Sequence, residues 1–229
     1  ANNVLLTQIS EPQGLIKISC PSVMMHFQIR TLLNQFLKDY PKVQIELELT
    51  SRRVDLMHDD IDLAIRTNFQ ANEDSSLIVR DVIKTTHCLV ASPELLKGRH
   101  IQHFTELHEF PSVVLGMQKS QYYWHLNNRE HGEVIDIPLQ PRIKSNDLAG
   151  VYYAVCDGFG IADLPYLAVE QDIKQGKLIH VLPEWCSNLG TVQLVYASRK
   201  GQRLVMEKLI DYLVEGLRDL AKDHLGYAL

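Results

Sequence analysis

Residues 14–49 read GLIKISCPSVMMHFQIRTLLNQFLKDYPKVQIELEL, and this stretch contains the pattern that decides the fold. The opening GLIKISC predicts a strand, and the alternation in VQIELEL predicts a second one. Between them, apolar residues recur at helical spacing up to Pro41, which ends the helix. That apolar face contains Met25, Ile29, Leu32, Leu33, Phe36 and Tyr40. Strand, helix and strand in this order predict a parallel α/β unit.

The next segments extend this first unit and then start a second one. RRVDLMHD (52–59) predicts a short helix, and IDLAIR (61–66) predicts a third strand. From Pro111 the plan repeats: strand PSVVLG, a helix over YYWHLNNREH, strand PRIKS, helix DLAGVYYAVCD, strand GIADLP, another helix and KLIHVLP. Alternation of this kind favours two α/β lobes over one antiparallel sheet.

Two further segments suit strands that cross between the lobes. THCLVAS (86–92) lies between the two units, and TVQLVYAS (191–198) follows the second one. A long amphipathic helix ends the chain and is expected to pack on one lobe. Its apolar face contains Met206, Leu209, Leu213, Leu217 and Leu220.

The segment GFGIADLP (158–165) carries two glycines but does not predict a phosphate-binding loop. A dinucleotide fingerprint needs its glycines after a strand and before a helix, whereas here a helix precedes them and a strand follows. Gly158 is therefore expected just past a helix end, in a left-handed conformation. Gly160 is expected to let the chain turn sharply into the strand.

Composition excludes several classes of function. With 229 residues, 45 % of them apolar, the chain can bury a sizeable core. Its net charge of −5 does not attract the negatively charged backbone of a nucleic acid. There is no apolar run of membrane-spanning length and no signal-peptide pattern at the N-terminus, so a cytoplasmic location is expected. The four cysteines form no CxxC pair and are expected to be reduced thiols.

No motif indicates catalysis or metal binding. His100, His103 and His108 lack the accompanying ligands of a zinc site, and they are expected to be surface residues. The acidic run at Asp55, Asp59, Asp60 and Asp62 lacks the glycine and the final glutamate of a calcium loop. Cys156 is expected at a helix C-terminus beside Asp157. Both the helix end and the Asp157 charge raise the pKa of a thiol. A packing role for this thiol is favoured over a redox role.

Taken in order, seven segments resemble the effector-binding domain of LysR-type transcriptional regulators. They are PQGLIKISCP, YPKVQIELELTSRRVDL, DIDLAIR, DSSLIVRDV, LVASPELL, AVCDGFGIADLP and GKLIHVLPEW. The resemblance runs from about Glu11 to near the end of the chain. It implies a periplasmic-binding-protein-like fold, in which two α/β lobes joined by two crossover strands enclose a small-molecule cleft. Asp163 departs from the family pattern, because an apolar or small residue is more usual there.

The resemblance also implies a domain organisation. Residues 1–13 would be the remnant of a linker to a missing DNA-binding domain, residues 14–91 with 198–229 would form lobe I, and residues 92–197 would form lobe II. The expected function is effector sensing, without enzymatic activity or a cofactor. DNA would be bound only through a missing N-terminal winged helix-turn-helix. The alternative is a stand-alone solute-binding protein that delivers a ligand to a transporter.

A homo-oligomer is expected from the same resemblance, as a dimer that becomes a tetramer in the full-length protein. The first long helix would pack against the second lobe of a partner, and no membrane contact is expected. Leu33 and Leu37 broaden the apolar face of that helix. They either belong to this interface or widen the face toward the core of their own lobe.

Polar residues at the ends of strands predict where an effector binds, because ligands of open α/β folds lie beyond the carboxyl ends of the strands. The predicted site contains Ser22, Thr50, Ser51, Arg66, Thr67, Gln118, Asn146 and Asp147. Ser22 is expected to cap the first long helix, and Asn146 occupies the equivalent junction in lobe II. Gln118 and Asp147 are placed by topology, whereas the resemblance implies effector contacts at Ser22, at the junction after Thr50, at Thr67 and at Asn146. Local capping and turn formation are the alternative roles for each.

The sequence is compatible with two kinds of effector, one anionic and one neutral or apolar. Two helix N-termini and Arg66 favour a carboxylate or another small anion, although Asp147 lowers that preference. If Arg66 instead pairs with an acidic residue of lobe I, the pocket favours a neutral or apolar effector. Tyr122, Tyr123 and Trp124 could supply an aromatic wall, but adjacent helical residues point in different directions, so core packing is expected for at least one.

Overall fold

The computed structural model describes residues 11–68, 77–117, 121–197 and 204–222. All but residues 11–13 of the predicted linker remnant lie outside these ranges. None of the described helices has both the length and the hydropathy needed to cross a lipid bilayer.

Lobe I is built around three parallel strands, as predicted from the strand–helix–strand pattern. Strand β1 (Gly14–Cys20) pairs with β2 (Val43–Leu49) on one side and with β3 (Leu63–Asn68) on the other, both in parallel. The carboxyl ends of all three strands therefore lie at the same edge of the sheet. Loops that follow them are brought together at that edge.

One continuous helical segment, residues 22–39, connects β1 to β2. It consists of α1 (Ser22–Met24), a π-helical turn at Met25–Ile29, and α2 (Arg30–Asp39). Leu33 is 2 % exposed within the core and Leu37 packs against that core. These two leucines thus widen the core-facing side of the helix, which was one of the two alternatives for them.

Two long antiparallel strands cross from one lobe to the other. Strand β4 (Leu77–Ala91) and strand β11 (Trp185–Ala197) pair with each other from Ala197–Leu77 to Ser187–His87, with two irregularities in the register. Near its end β11 also pairs with β3 of lobe I, antiparallel. The predicted crossover segments are therefore parts of longer strands than the sequence pattern marked. The lobe boundaries at 91/92 and 197/198 stay a prediction.

Lobe II surrounds the other halves of β4 and β11. Strands β9 and β10 pair with β4, the β6–β7 hairpin pairs with the start of β11, and β5 pairs with β8 in parallel. The elements are α3 (Pro93–Leu96), a 3₁₀ helix (Phe104–Glu109), β5 (Ser112–Leu115), β6 (Tyr122–Asn128), β7 (Val134–Leu139), β8 (Pro141–Ser145), α4 (Leu148–Cys156), β9 (Ala162–Pro165), α5 (Tyr166–Lys174) and β10 (Ile179–Val181).

The final helix, α6 (Leu204–Lys222), packs against the core of lobe I. Met206, Leu209, Leu213 and Leu217 are buried there as predicted, whereas Leu220 is 41 % exposed. Fully burying a leucine contributes about 1.5–3 kcal/mol relative to leaving it exposed, so this face fixes the helix on the lobe.

The helix predicted over residues 122–131 is wrong, because this segment forms strand β6. Tyr122, Trp124 and Leu126 are buried, and Tyr123 and His125 between them are exposed, which is the two-residue period of a strand. Aromatic residues favour a pleated, half-buried surface, and the hairpin partner β7 supplies it. Tyr122 and Trp124 thus pack in the interior, which confirms core packing for at least one of the three aromatics.

The short helix predicted over residues 52–59 is also wrong, because the chain forms a series of turns there. The Asp55 carboxylate accepts hydrogen bonds from the backbone N–H groups of Met57 (3.0 Å) and His58 (3.1 Å). An aspartate that bonds to its own neighbouring backbone competes with helix propagation. Asp59 and Asp60 form ion pairs with Arg52 and Lys17, respectively.

Both glycines of GFGIADLP have structural roles, and that of Gly158 is the one expected. Gly158 follows α4 with φ +77°, a conformation that few other residues adopt readily. At Gly160, a Cβ atom would lie 2.7 Å from the carbonyl oxygen of Pro111. The close approach lets Ile161 form a backbone bridge to Ser112.

Candidate ligand site between the lobes

A cavity of about 340 Å³ lies at the edge of the sheet where the carboxyl ends of β1 and β3 meet lobe II. Its volume is at the lower end of the range for small-molecule sites. Lobe I contributes residues that include Ser19, Pro21 and Thr67, while lobe II contributes Leu148 and Ala168. The cavity is therefore lined by both lobes, and the two crossover strands form part of its wall.

The structure places the predicted site residues in three groups. Thr50, Ser51, Arg66 and Thr67 all line the cavity. Ser22, Asn146 and Asp147 do not belong to its wall, and Gln118 lies outside the described residues.

Ser22 and Asp147 connect the lobes directly. The Ser22 hydroxyl donates a hydrogen bond to Oδ1 of Asp147, from the start of α1 to the residue before α4. Oδ2 of Asp147 accepts the backbone N–H of Gly150 at 3.3 Å and so caps α4. The predicted capping role of Ser22 is wrong, because its hydroxyl is engaged across the lobes. In lobe II the cap is Asp147 and not Asn146.

Arg66 has a neutral partner. Its Nε donates to Oε1 of Gln193 at 3.3 Å, and Nε2 of Gln193 in turn donates to Oδ1 of Asp81 at 2.7 Å. The predicted alternative, a pair between Arg66 and an acidic residue of lobe I, is not found among the described residues. Burial lowers the pKa of Arg66, and the charge of nearby Arg53 lowers it further.

Arg52 and Arg53 both line the cavity, but only the charge of Arg52 is balanced by acidic partners among the described residues. Arg52 is ion-paired with Glu48 at 2.9 Å and with Asp59 at 2.7 Å, so its charge is already balanced. Arg53 is exposed and forms no ion pair with a described residue. The uncompensated positive charge at the cavity therefore comes from Arg53 and Arg66.

Three buried polar side chains in the cavity wall were missed from the sequence. They are Ser19 (3 % exposed), Gln28 (8 %) and Thr85 (8 %), and all three line the cavity. Their side chains make no hydrogen bond to other described residues. Buried polar groups are normally hydrogen-bonded, so these three are available to a polar molecule in the cavity. A glutamine on the apolar face of a helix was the one sequence signal that could have revealed Gln28.

Asp163 supports the cavity wall from behind. Its Oδ2 accepts the Ser187 hydroxyl at 2.6 Å and lies 3.3 Å from Nδ1 of His87, which lines the cavity. Only 12 % of the Asp163 side chain is exposed. The departure from the family pattern at this position is thus a buried polar contact that joins β4, β9 and β11.

The cysteines and the candidate metal ligands form no second site among the described residues. Burial raises the pKa of the Cys20 thiol to about 12, and burial is also the main cause of the raised pKa of Cys156, to which Asp172 and Asp157 contribute. Raised thiol pKa values disfavour the reactive thiolate. In the part of the chain that the structure describes, no group of three or more His, Cys, Asp or Glu side chains is arranged to hold a metal ion.

Similarity to known proteins agrees with this geometry. The sequence model of the protein family described as the LysR substrate binding domain matches residues 10–218. The chain belongs to this family. Among curated relatives of this LysR domain, the HTH-type transcriptional regulator PtxR of Pseudomonas aeruginosa is 27 % identical over 217 residues, which are 94 % of this chain and 66 % of PtxR. The chain thus spans about two thirds of the length of the curated relatives it matches first.

Solved structures of LysR-type regulatory domains have the same fold. The regulatory domain of AphB from Vibrio vulnificus is 28 % identical, with a TM-score of 0.74 over 90 % of this chain and 99 % of that one. The regulatory domain of CrgA from Neisseria meningitidis is 26 % identical, with a TM-score of 0.77 over 89 % and 98 %. The predicted periplasmic-binding-protein-like fold is therefore confirmed, and the family consists of transcriptional regulators and not of enzymes.

Proposed function

We propose that this chain is the effector-sensing part of a LysR-type transcriptional regulator. A small organic molecule binds in the cavity between the lobes and changes their relative geometry. That change passes to a winged helix-turn-helix outside these 229 residues, which binds DNA. The observation that carries this proposal is the cavity between the lobes, whose wall contains buried polar side chains that have no hydrogen-bond partner among the described residues.

Two further facts favour a regulator over the solute-binding protein of a transporter. The matched relatives are transcriptional regulators, and they are longer than this chain by enough residues for a DNA-binding domain. The net charge of −5 means that DNA contacts must come from that other domain. A regulator that acts on bacterial DNA works in the cytoplasm.

We assign the effector contacts to two sets of residues. Thr50, Ser51, Arg66 and Thr67 contribute from the ends of lobe I strands, and Ser19, Gln28 and Thr85 contribute from the buried wall. Ser22 and Asp147 act through the bond between the lobes, so they influence affinity by setting how far the cleft opens. Asn146 is exposed and does not line the cavity.

A metabolite library screened by thermal shift tests the proposal. A ligand at a hundred times its Kd adds about 2.7 kcal/mol to the folded state, which is a rise of about 5–10 °C in Tm for a chain of this size. Ala168 is buried at the cavity, and Ala168→Leu places a larger side chain there. The shift should be lost in that variant. A ligand whose shift survives Ala168→Leu would place the site elsewhere, and a library without a hit would count against effector sensing.

We also propose a two-fold dimer, which pairs to a tetramer in the full-length regulator. The segment 22–39 and the edge strand β2 of one copy would face lobe II of the other. Exposed apolar side chains on both surfaces support this: Leu47 and Leu49 on β2, and Tyr153 and Phe159 at α4 and just after it.

Sedimentation equilibrium tests the dimer. Tyr153→Glu should shift the population toward monomer, whereas Met57→Glu, which changes an exposed apolar residue of the 51–60 turns, should not. Equal behaviour of the two variants would contradict this interface.

A further inference from the structure

We propose that the effector is a small carboxylate with an apolar body, whose charged group is bound by Arg66 and Arg53. This assignment rests on the proposed function and adds the chemical class of the ligand. It depends on the balance of charge in the cavity, the apolar part of its wall, and the position of Asp147.

The balance of charge in the wall is positive. Among the described residues that line the cavity there is no aspartate or glutamate. Arg52 has its own acidic partners, but Arg66 has only the amide oxygen of Gln193 and Arg53 has no ion pair among the described residues. Two neighbouring cations at a partly enclosed site repel each other, and a bound anion relieves that repulsion. A guanidinium fork also matches the planar geometry of a carboxylate.

The rest of the wall selects an apolar body. It contains Val23, Val54, Ile65, Ile83, Leu148 and Leu167. Burying apolar ligand surface against these side chains is favourable, whereas a strongly hydrated, doubly charged phosphate group would have to be dehydrated over much of its surface. Ser19, Gln28 and Thr85 can bond a hydroxyl or carbonyl group on the same ligand.

The helix N-termini are not the place of the ligand's charge. The sequence pointed to an anion between the starts of the first long helix and α4, but the Asp147 carboxylate already lies there. Its two oxygens accept the Ser22 hydroxyl and the Gly150 N–H. A second carboxylate at this position would be repelled by the first. The positive end of the cavity is instead the lobe I wall at Arg66 and Arg53.

Binding of matched acids and amides tests the proposed class. Isothermal titration would compare phenylacetate, hexanoate and related monocarboxylates with their primary amides, and phenylacetate with benzylphosphonate, on the intact chain. We expect at least one acid to bind about 10- to 100-fold more tightly than its amide, which corresponds to loss of a charge-assisted hydrogen bond. Its affinity should fall as ionic strength rises.

Variants then show whether the arginines cause the preference. Arg66→Gln should reduce the difference between acid and amide about 10-fold or more, and Arg53→Gln should reduce it less because Arg53 is exposed. If Arg66→Gln does not fold, Arg66→Met and Arg53→Gln test the same preference, because both remove a positive charge. Arg80→Gln is the matched control, since the Arg80 side chain is 38 % exposed, is paired with Asp211 at 3.0 Å, and does not line the cavity.

Five results would overturn the proposal. Amides that bind as tightly as the acids would show a neutral ligand, and a preference for benzylphosphonate would show a phosphate-like one. An acid preference that is unchanged in both arginine variants would remove the assigned residues. If no acid binds while neutral metabolites do, the class is wrong and the proposed function stands. If neither binds, both fail.

Discussion

Gln28 offers a test in which stability and binding should move in opposite directions. The residue lies in the π-helical turn, is 8 % exposed, and makes no hydrogen bond through its amide to another described residue. A buried amide without a partner costs about 1–3 kcal/mol. Because the amide borders a cavity that can hold water, the lower figure of about 1 kcal/mol applies. Gln28→Met keeps an unbranched side chain of similar size and removes the polar group.

We therefore expect Gln28→Met to raise the free energy of unfolding of the ligand-free chain by about 1 kcal/mol. For a chain of this size, that is a rise of about 2–4 °C in Tm, measurable by differential scanning fluorimetry and by urea unfolding. The same variant should weaken binding of a polar effector, because the ligand loses a partner in the wall. Natural proteins commonly keep such a destabilising polar group at a functional site.

A glutamine on the same helical segment provides the control. Gln35 is exposed and donates to Asp39 at 3.1 Å, so Gln35→Met removes a weak surface hydrogen bond and should leave Tm unchanged or slightly lower. If Gln28→Met destabilised the chain as much as or more than Gln35→Met, Gln28 would be part of the packed framework. Its assignment to the ligand site would then be refuted.

Three further predictions concern the framework of the site. Ser22→Ala and Asp147→Asn should each lower the free energy of unfolding by about 0.5–1.5 kcal/mol in urea titrations. The double variant should lower it by less than the sum of the two single effects. Strict additivity would mean that the two side chains are not coupled. Burial lowers the pKa of His180 to about 4, so its stabilising contribution is present above pH 6.5 and is lost as the pH falls toward 4. Because the ring is partly exposed, the free energy of unfolding should fall by less than about 1.4 kcal/mol per pH unit. His180→Gln should therefore flatten the acid side of the stability profile, and an unchanged profile would contradict the assignment. Gly160→Ala should lower the free energy of unfolding by about 1–3 kcal/mol, because its Cβ would lie 2.7 Å from the Pro111 carbonyl oxygen, and an unchanged Tm would contradict that contact.

The sequence predicted lobe I well because its elements carry strong, local signals. The helical period of residues 22–39 and the alternation in β2 each determine one type of element, and parallel pairing follows from the connection between them. The prediction of secondary structure failed at two segments. In residues 122–131 the helical interpretation competes with a two-residue period of buried Tyr122, Trp124 and Leu126, and this period corresponds to strand β6. At residues 52–59, aspartate bonds to the backbone replaced a helix.

The candidate site was predictable only in part, for a physical reason. Thr50, Ser51, Arg66 and Thr67 follow from the rule that ligands bind beyond the carboxyl ends of parallel strands. Contacts between the lobes do not follow from any local pattern, because Ser22 and Asp147 are 125 residues apart in the chain. The same holds for the pairing of Arg66 with Gln193, on which the charge of the cavity depends.

Hydrogen exchange measured by mass spectrometry, with and without a ligand from the metabolite screen, tests the central claim most directly. If the effector binds between the lobes, exchange should slow in residues 50–54 and 65–68 of lobe I and at the start of α4 in lobe II. The exposed residues 130–132, in the connection from β6 to β7 and outside the cavity wall, should not change. Slowing in both lobes is the result that a cleft ligand predicts. Slowing confined to one lobe, or to surfaces that do not border the cavity, would contradict it.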